Sequence, residues 1–93
     1  MIKSFGDKET KLVFQQLISK KFPADIQKRA LVKLLLIDSA DSEIDLKAPP
    51  SNNLEKLKGG LKDFWSIRIN DKWRICFKFE NGDAYEVSIK DYH

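Results

Sequence analysis

Three stretches in the last third of the sequence alternate between apolar and polar residues. They span residues 65–70, 73–79 and 85–90. Successive side chains of a β-strand point to opposite faces, so this period of two predicts strands with one apolar and one polar face. Asn81-Gly82 separates the second stretch from the third, and this dipeptide is typical of a two-residue hairpin turn. The pattern therefore predicts an antiparallel meander of three strands.

The apolar face of such a sheet needs a cover, and the first half of the chain provides it. Asp7 is a suitable helix cap, and an apolar set at helical spacing follows: Leu12, Val13, Phe14, Leu17 and Ile18. Pro23 suits the first turn of a second helix, whose apolar stripe is Ile26, Ala30, Leu34 and Ile37. Residues 2–5 are predicted to form a short first strand. We expect an α+β fold in which two N-terminal helices pack on one face of a small, mainly antiparallel sheet, as a single domain over residues 1–93.

Residues 41–63 follow neither period. They contain two clusters that break regular structure, Pro49-Pro50-Ser51-Asn52-Asn53 and Gly59-Gly60. A loop longer than about 12–15 residues without structure of its own is uncommon in a compact domain and is often functional. We therefore expect a functional loop here.

Basic residues are concentrated between residues 54 and 74. This window holds six basic and three acidic residues, so its net charge of +3 equals that of the whole chain. The six are Lys56, Lys58, Lys62, Arg68, Lys72 and Arg74. Such a local excess favours a polyanionic partner. A lysine-rich face in contact with solvent would have the same composition.

Strand parity brings several polar side chains to the face away from the helices. This face is predicted to carry Arg68, Arg74, Lys78, Glu86, Ser88 and, if the last strand continues, Tyr92. Phe64 shares the parity and offers a ring on which a base can stack. Arginine is suited to bidentate contact with phosphate. Two interpretations stay open, a phosphate-binding surface or a solvent face with cross-strand Arg–Glu pairs.

Two classes of protein are disfavoured by the composition. Cys76 is the single cysteine, so an internal disulfide is excluded and no cysteine cluster is present to hold zinc. We expect no metal and no cofactor. The sequence has no apolar run of about 18 residues and no signal peptide, so we expect no membrane association and a cytoplasmic location.

The chain ends with Asp91-Tyr92-His93, and this histidine is the only one in the sequence. The three side chains together offer an orienting carboxylate and two proton-transfer groups. They follow a predicted strand that lies beside Arg68 and Arg74. A terminal histidine can also be frayed and without a role, or belong to a purification tag.

Several segments jointly resemble a known family. They are Met1-Ile2-Lys3-Ser4-Phe5, Leu57-Lys58-Gly59, Trp65-Ser66-Ile67-Arg68-Ile69-Asn70 with Trp73-Arg74-Ile75, Asn81-Gly82-Asp83-Ala84-Tyr85 and the terminal Asp91-Tyr92-His93. Over nearly the full chain, the sequence resembles the HigB-type toxins of the RelE/ParE toxin superfamily. The resemblance implies a toxin that enters the ribosomal decoding site and cleaves messenger RNA without a metal. In that reaction the 2′-hydroxyl of the RNA attacks the adjacent 3′-phosphate.

The resemblance also implies site residues. Asp91, Tyr92 and His93 match the terminal catalytic segment of the family. Arg74 matches an arginine that contacts phosphate or the transition state, and Lys58 matches the lysine of the Leu-Lys-Gly motif.

Further RNA-binding residues are predicted from charge and strand parity rather than from the resemblance alone. They are Arg68, Lys72, Lys56 and Phe64. Some family members carry a histidine near the Leu-Lys-Gly motif, whereas residues 54–59 contain none. Glu55 is the nearest ionisable substitute, as a second proton-transfer group or as an ordinary surface residue. Which group is the base and which is the acid stays open.

The resemblance implies three kinds of partner. The first is a helix-turn-helix antitoxin of the HigA type, the second is the ribosome with its messenger RNA, and the third is promoter DNA, reached only through the antitoxin. Two other functions remain as alternatives, a non-catalytic RNA- or ribosome-binding module and an antitoxin-binding co-repressor. Only the enzyme needs the terminal Asp-Tyr-His segment for chemistry.

Overall fold

The computed structural model describes residues 1–61 and 63–91, in which two helices accompany a four-stranded antiparallel sheet. The helices are α1 (Lys8–Phe14) and α2 (Ala24–Ser39). The strands are β1 (Glu55–Lys56), β2 (Phe64–Arg68), β3 (Trp73–Glu80) and β4 (Asp83–Asp91), in the order β1-β2-β3-β4. The predicted α+β class is confirmed. Lys62, Tyr92 and His93 lie outside the described residues.

Helix α1 begins as predicted but ends early. The Asp7 side chain caps it by accepting a hydrogen bond from the Thr10 backbone N–H at 2.7 Å. Gln16 adopts a left-handed φ of 64°, which an α-helix does not continue. The predicted place of Leu17 and Ile18 on the helical face is therefore wrong, and these side chains are 55% and 86% exposed.

Helix α2 supplies the main cover of the sheet. Its predicted stripe is confirmed, because Ile26, Ala30, Leu34 and Ile37 are at most 2% exposed. The stripe packs on apolar side chains of the sheet: Ile67, Ile69, Ile75, Phe77, Val87 and Ile89. Burying each large aliphatic side chain contributes about 1.5–3 kcal/mol. Within the described ranges, neither helix is long and apolar enough to cross a membrane.

The Asn81-Gly82 turn joins β3 to β4 as predicted. Both residues have positive φ, 52° and 84°, as a two-residue hairpin of this type requires. The predicted antiparallel meander of three strands is confirmed as β2, β3 and β4, and β1, which was not predicted, pairs with β2 at its edge.

The loop over residues 41–63 also has more structure than expected. Three 3₁₀ turns lie in it, Glu43–Lys47, Pro50–Asn52 and Gly59–Leu61. The buried Asn52 side chain donates hydrogen bonds to the backbone carbonyls of Leu46 and Ala48, at 3.1 and 3.2 Å. These local bonds satisfy the backbone, so the segment packs without a long helix or strand.

The N-terminal segment lies along the free edge of β4. It forms two parallel bridges, Ile2 with Ala84 and Phe5 with Val87, rather than the continuous strand that was predicted. The Gly6 backbone N–H donates to the Val87 carbonyl at 2.9 Å. The edge of β4 is thereby covered over these residues, which reduces its capacity to pair with another chain.

A β-bulge interrupts β4. Cys76 pairs with Ser88 and Lys78 pairs with Tyr85, so Glu86 and Val87 together oppose one residue of β3. The alternation over residues 85–90 predicts that Tyr85 lies on the apolar face with Val87 and Ile89, and this prediction is wrong. Directly opposed residues share a face, so Tyr85 lies on the polar face with Lys78. The extra residue in β4 is what reverses the parity.

Candidate active site

The face of the sheet away from the helices, called here the polar face, collects side chains from all four strands. Three rows of opposed residues cross it: Glu55, Ser66, Cys76 and Ser88; Arg68, Arg74 and Lys90; and Phe64, Lys78 and Tyr85. The predicted common face of Arg68, Arg74, Lys78 and Ser88 is thus confirmed. The second row places three cationic residues side by side.

A cleft of about 450 Å³ opens on the polar face. Its lining residues come from four segments of the chain: Gly6, Phe64, Cys76, Glu86, Ser88, Lys90 and Asp91. A Cβ atom at Gly6 would lie 2.0 Å from the Ser88 Oγ, so glycine lets the N-terminal segment approach the cleft closely. The volume lies in the range of ligand pockets, about 300–1,000 Å³.

Arg74 is held inside the polar face rather than extended from it. Its Nε donates to the Ser66 Oγ at 2.9 Å. Its Nη2 donates to the Asn53 carbonyl at 2.6 Å and to the Ser66 carbonyl at 3.2 Å. The side chain is only 9% exposed, and its Nη2 lies 3.9 Å from a carboxylate oxygen of Glu55. Arg74 therefore ties the loop before β1 to the centre of the sheet.

The other predicted phosphate contacts are more exposed. Arg68, 36% exposed, forms an ion pair with the Asp71 carboxylate. The Lys72 Nζ lies 3.9 Å from the Asp91 carboxylate, which borders the cleft. The structure thus brings Asp91 and Lys72 together and leaves Arg68 open to solvent on one side.

Lys78 contacts two residues that line the cleft, Phe64 and Glu86. The Lys78 Nζ lies 5.2 Å from the centroid of the Phe64 ring, at cation–π distance. The same Nζ lies 3.1 Å from a carboxylate oxygen of Glu86. A lysine and a glutamate therefore stand at the ring that was predicted to stack on a base.

The loop residues divide between the two faces. Lys56 opposes Trp65, which packs against the core, and its Nζ lies 5.5 Å from the Trp65 ring centroid. Lys56 is therefore not brought together with Arg74. Lys58 is exposed and follows Leu57, whose backbone N–H donates to the Phe64 carbonyl at 2.9 Å. Glu55 lies on the polar face and is 50% exposed.

A further basic group on α2 was not predicted. Lys33 donates a hydrogen bond to the Asn52 side-chain oxygen. Burial lowers the pKa of Lys33, and the nearby Arg29 and Arg68 guanidiniums lower the pKa further. The sequence pattern of α2 predicted only its apolar stripe, so it did not indicate the contact between Lys33 and Asn52.

Two partners of the site could have been found from strand parity. Ser66 and Lys90 alternate with core residues in the same way as Arg68 and Ser88, so they belong to the polar face. The contact of Arg74 with Asn53 joins residues far apart in sequence and has no local signal. Among the described residues, no three His, Cys, Asp or Glu side chains are grouped as metal ligands would be.

The chain matches a family of known proteins. The family described as "RelE-like toxin of type II toxin-antitoxin system HigB" matches residues 3–93. Endoribonuclease HigB of Proteus vulgaris is 41% identical over 93 residues, which is 100% of each chain. The chain belongs to the HigB-like toxins. Another relative of this HigB-like toxin is Toxin HigB-1 of Vibrio cholerae, 40% identical over 67 residues, or 72% of this chain and 70% of that protein.

Solved structures show the same fold at lower identity. YafQ from E. coli strain BL21(DE3) has a TM-score of 0.59 and 16% identity, covering 98% of this chain and 91% of YafQ. A chain of the YoeB-YefM complex from Staphylococcus aureus has a TM-score of 0.62 and 23% identity, covering 100% of this chain and 95% of that one. The HigB-like toxin therefore has a RelE-like fold.

Proposed function

We propose that this HigB-like toxin cleaves messenger RNA on the ribosome, at the cleft of the polar face. It is an endoribonuclease toxin of a type II toxin–antitoxin system, as its family and its full-length relative indicate. The observation that carries the site assignment is the row of Arg68, Arg74 and Lys90 beside a cleft bordered by Asp91. A row of cations next to proton-transfer groups is what cleavage of a phosphodiester requires.

The proposed chemistry needs no metal. The RNA 2′-oxygen forms a bond to the adjacent phosphorus, and the bond from phosphorus to the 5′-oxygen breaks. A base takes the proton of the 2′-hydroxyl, and an acid returns a proton to the departing 5′-oxygen. We assign these transfers to the terminal segment Asp91, Tyr92 and His93, with Lys58 as a further cation, on the strength of the family resemblance.

Arg74 supports the transition state from a fixed position in this proposal. Three hydrogen bonds hold its guanidinium, so its charge needs no reorganisation as negative charge grows on the phosphate. Glu55, 3.9 Å from Arg74, is the proposed second proton-transfer group.

The RNA-binding roles follow from position and exposure. Lys72, whose Nζ lies 3.9 Å from the Asp91 carboxylate at the cleft, and Arg68, which lies in the row with Lys90, are proposed to contact phosphates. Phe64, which lines the cleft, is proposed to stack on a base. Lys56 lies on the other face, so its proposed contact is with ribosomal RNA outside the cleft.

Partners and location complete the proposal. A toxin of this family has an antitoxin as its partner. We propose that the antitoxin is a HigA-like helix-turn-helix protein, that the pair reaches promoter DNA only through it, and that the toxin acts in the cytoplasm, where ribosomes translate.

Growth after induced expression of the chain alone tests the function, with the ends of messenger RNA mapped by primer extension. We expect growth arrest and new cuts inside translated codons. Both should be lost when residues 92–93 are removed and strongly reduced in Lys90→Ala. Lys28→Ala is the matched control, because it removes an equal charge from an exposed position on α2 that does not line the cleft.

Other outcomes separate the alternatives. Arrest without cuts that survives the truncation indicates a ribosome- or RNA-binding module. Folded protein that causes no arrest indicates a co-repressor. Incubation of the purified chain with messenger RNA, with and without ribosomes, tests ribosome dependence, and equal cleavage in both would contradict it.

A further inference from the structure

Glu86 occupies a backbone conformation that suits glycine. Its φ is 52°, in the left-handed region. It is also the extra residue of the β4 bulge, where the left-handed position is commonly glycine. A non-glycine residue in this region carries a steric cost, and such residues persist where the surrounding structure holds them. At Glu86 the backbone N–H donates to the Ser4 Oγ at 2.9 Å, which holds the bulge in place.

The bulge places two consecutive side chains on the polar face. Regular alternation from Ser88 puts Val87 in the core, where it is fully buried, and Glu86 on the polar face, where it lines the cleft. The extra residue then turns Tyr85 to the polar face as well, opposite Lys78. The strained residue and the carboxylate at the cleft are the same residue, and bulges recur next to active sites.

The surroundings of Glu86 suit a base. Its carboxylate lies 3.1 Å from the Lys78 Nζ, and the two side chains are 54% and 40% exposed. An ion pair between such exposed groups contributes little, so another donor can replace Lys78 at small cost. Lys78 in turn stands over the Phe64 ring, which is the surface on which a base would stack.

We propose that Glu86 is a specificity-determining residue, whose carboxylate accepts hydrogen bonds from the amino group of a base stacked on Phe64. This rests on the proposed cleavage of RNA at the cleft. An ionised carboxylate only accepts hydrogen bonds. Adenine, cytosine and guanine each carry an exocyclic amino group. Uracil carries a carbonyl oxygen where cytosine has its amino group, and its one N–H donor, at N3, lies between two carbonyl oxygens that repel a carboxylate. The toxin therefore discriminates against uracil at this position, and the displaced Lys78 becomes available to a phosphate.

Cleavage of ribosome-bound messenger RNA tests the proposal, with each position of the codon in the decoding site varied between cytosine and uracil. These bases have the same size and differ at the groups that Glu86 would read. At one position the wild type is expected to prefer cytosine by about tenfold, the size of one good base contact. Glu86→Gln should lose this preference, because an amide also donates to a carbonyl oxygen. The readout is the ratio of the two cleavage rates within each protein, so a general loss of activity in the variant does not change the comparison.

Glu80→Gln is the matched control. It makes the same change at an exposed residue that does not line the cleft, and it should keep the wild-type preference. Equal cleavage by the wild type at cytosine and uracil in every position, or an unchanged preference in Glu86→Gln, overturns the inference. If the wild type cleaves nothing, the proposed function fails. In that case, NMR titrations of wild type and Glu86→Gln with cytidine and uridine trinucleotides test the role of Glu86. A preference for cytidine in wild type that is lost in Glu86→Gln supports it, and equal binding of the two trinucleotides by wild type overturns it.

Discussion

Replacement of Arg74 by methionine should substantially lower the free energy of unfolding of this domain. The change keeps a long apolar stem but removes the guanidinium and its three hydrogen bonds to Ser66 and Asn53. A hydrogen bond from a charged donor contributes about 1.5–3 kcal/mol, and Ser66, which supplies two of the three acceptors left behind, is fully buried. Burying the charged guanidinium costs free energy, and methionine avoids this cost, so part of the loss in stability is offset.

We therefore expect the free energy of unfolding to fall by about 3 kcal/mol in Arg74→Met. Total stability of such domains is about 5–15 kcal/mol, so the loss is substantial. It corresponds to a fall in Tm of roughly 12–24 °C. Urea unfolding followed by tryptophan fluorescence, together with a thermal melt, measures both quantities.

Arg68→Met is the matched control, because Arg68 lies directly opposite Arg74 on the next strand. Arg68 is 36% exposed, and its partner Asp71 is 98% exposed. Exposed pairs contribute about 0–1 kcal/mol, so this variant should be nearly as stable as wild type. If the two variants differ by less than about 1 kcal/mol, the reasoning from burial and hydrogen bonds is refuted. Activity of Arg74 variants is interpretable only beside these measurements.

Glu86→Gly should raise the free energy of unfolding by about 0.5–1 kcal/mol, because glycine takes the left-handed conformation without steric cost; a Tm that stays unchanged or falls would contradict this. Lys33 should make stability depend on pH: burial, then two arginine guanidiniums, lower its pKa, so the unfolded chain binds the proton more tightly. At pH values between the pKa of Lys33 in the folded protein and 10.5, the free energy of unfolding of wild type should rise with pH relative to that of Lys33→Met. A difference between the two proteins in urea unfolding that stays constant with pH would count against this. Gly6→Ala should cost about 1 kcal/mol through overpacking against the Ser88 hydroxyl, and Ser88→Ala should restore part of it. Gly60→Ala, whose Cβ meets nothing within 4 Å, is its control, and equal losses in thermal melts of the two would refute the clash.

The strands and the second helix could be predicted because their signals are local. A period of two, a turn dipeptide with two positive φ values and an apolar stripe each specify backbone conformation within a few residues. The polar face followed from the same parity. Its chemistry was then predicted by resemblance to a family, and membership of that family is confirmed.

The errors share a different cause. Strand β1 has two residues, too few to show a period. Helix α1 ends through the left-handed Gln16, and glutamine is not a residue that marks such an end. The bulge at Glu86 has no glycine to reveal it, so the parity of Tyr85 came out reversed.

Strand parity also does not show how deeply a side chain is buried. Strand alternation places Arg74 on the polar face but does not show that Ser66 and Asn53 enclose its guanidinium. Those contacts depend on how the loop before β1 packs, which is decided by tertiary structure. The sequence therefore predicted which residues form the candidate site, but it did not predict which of the cationic side chains are buried and which are exposed.

The cover that residues 2–6 provide for β4 has a consequence for the order of folding. The Met1 amino group bonds the Gly82 carbonyl 81 residues away, and the Glu86 N–H bonds Ser4 across 82 residues. Contacts between residues so far apart in sequence form late in folding, because closing such a long loop lowers the conformational entropy of the chain. Residues 2–6 must therefore wait until residues 82–87 have left the ribosome, and β4 keeps one open edge until they dock on it. The segment that covers this sheet is synthesised long before the strand that it covers.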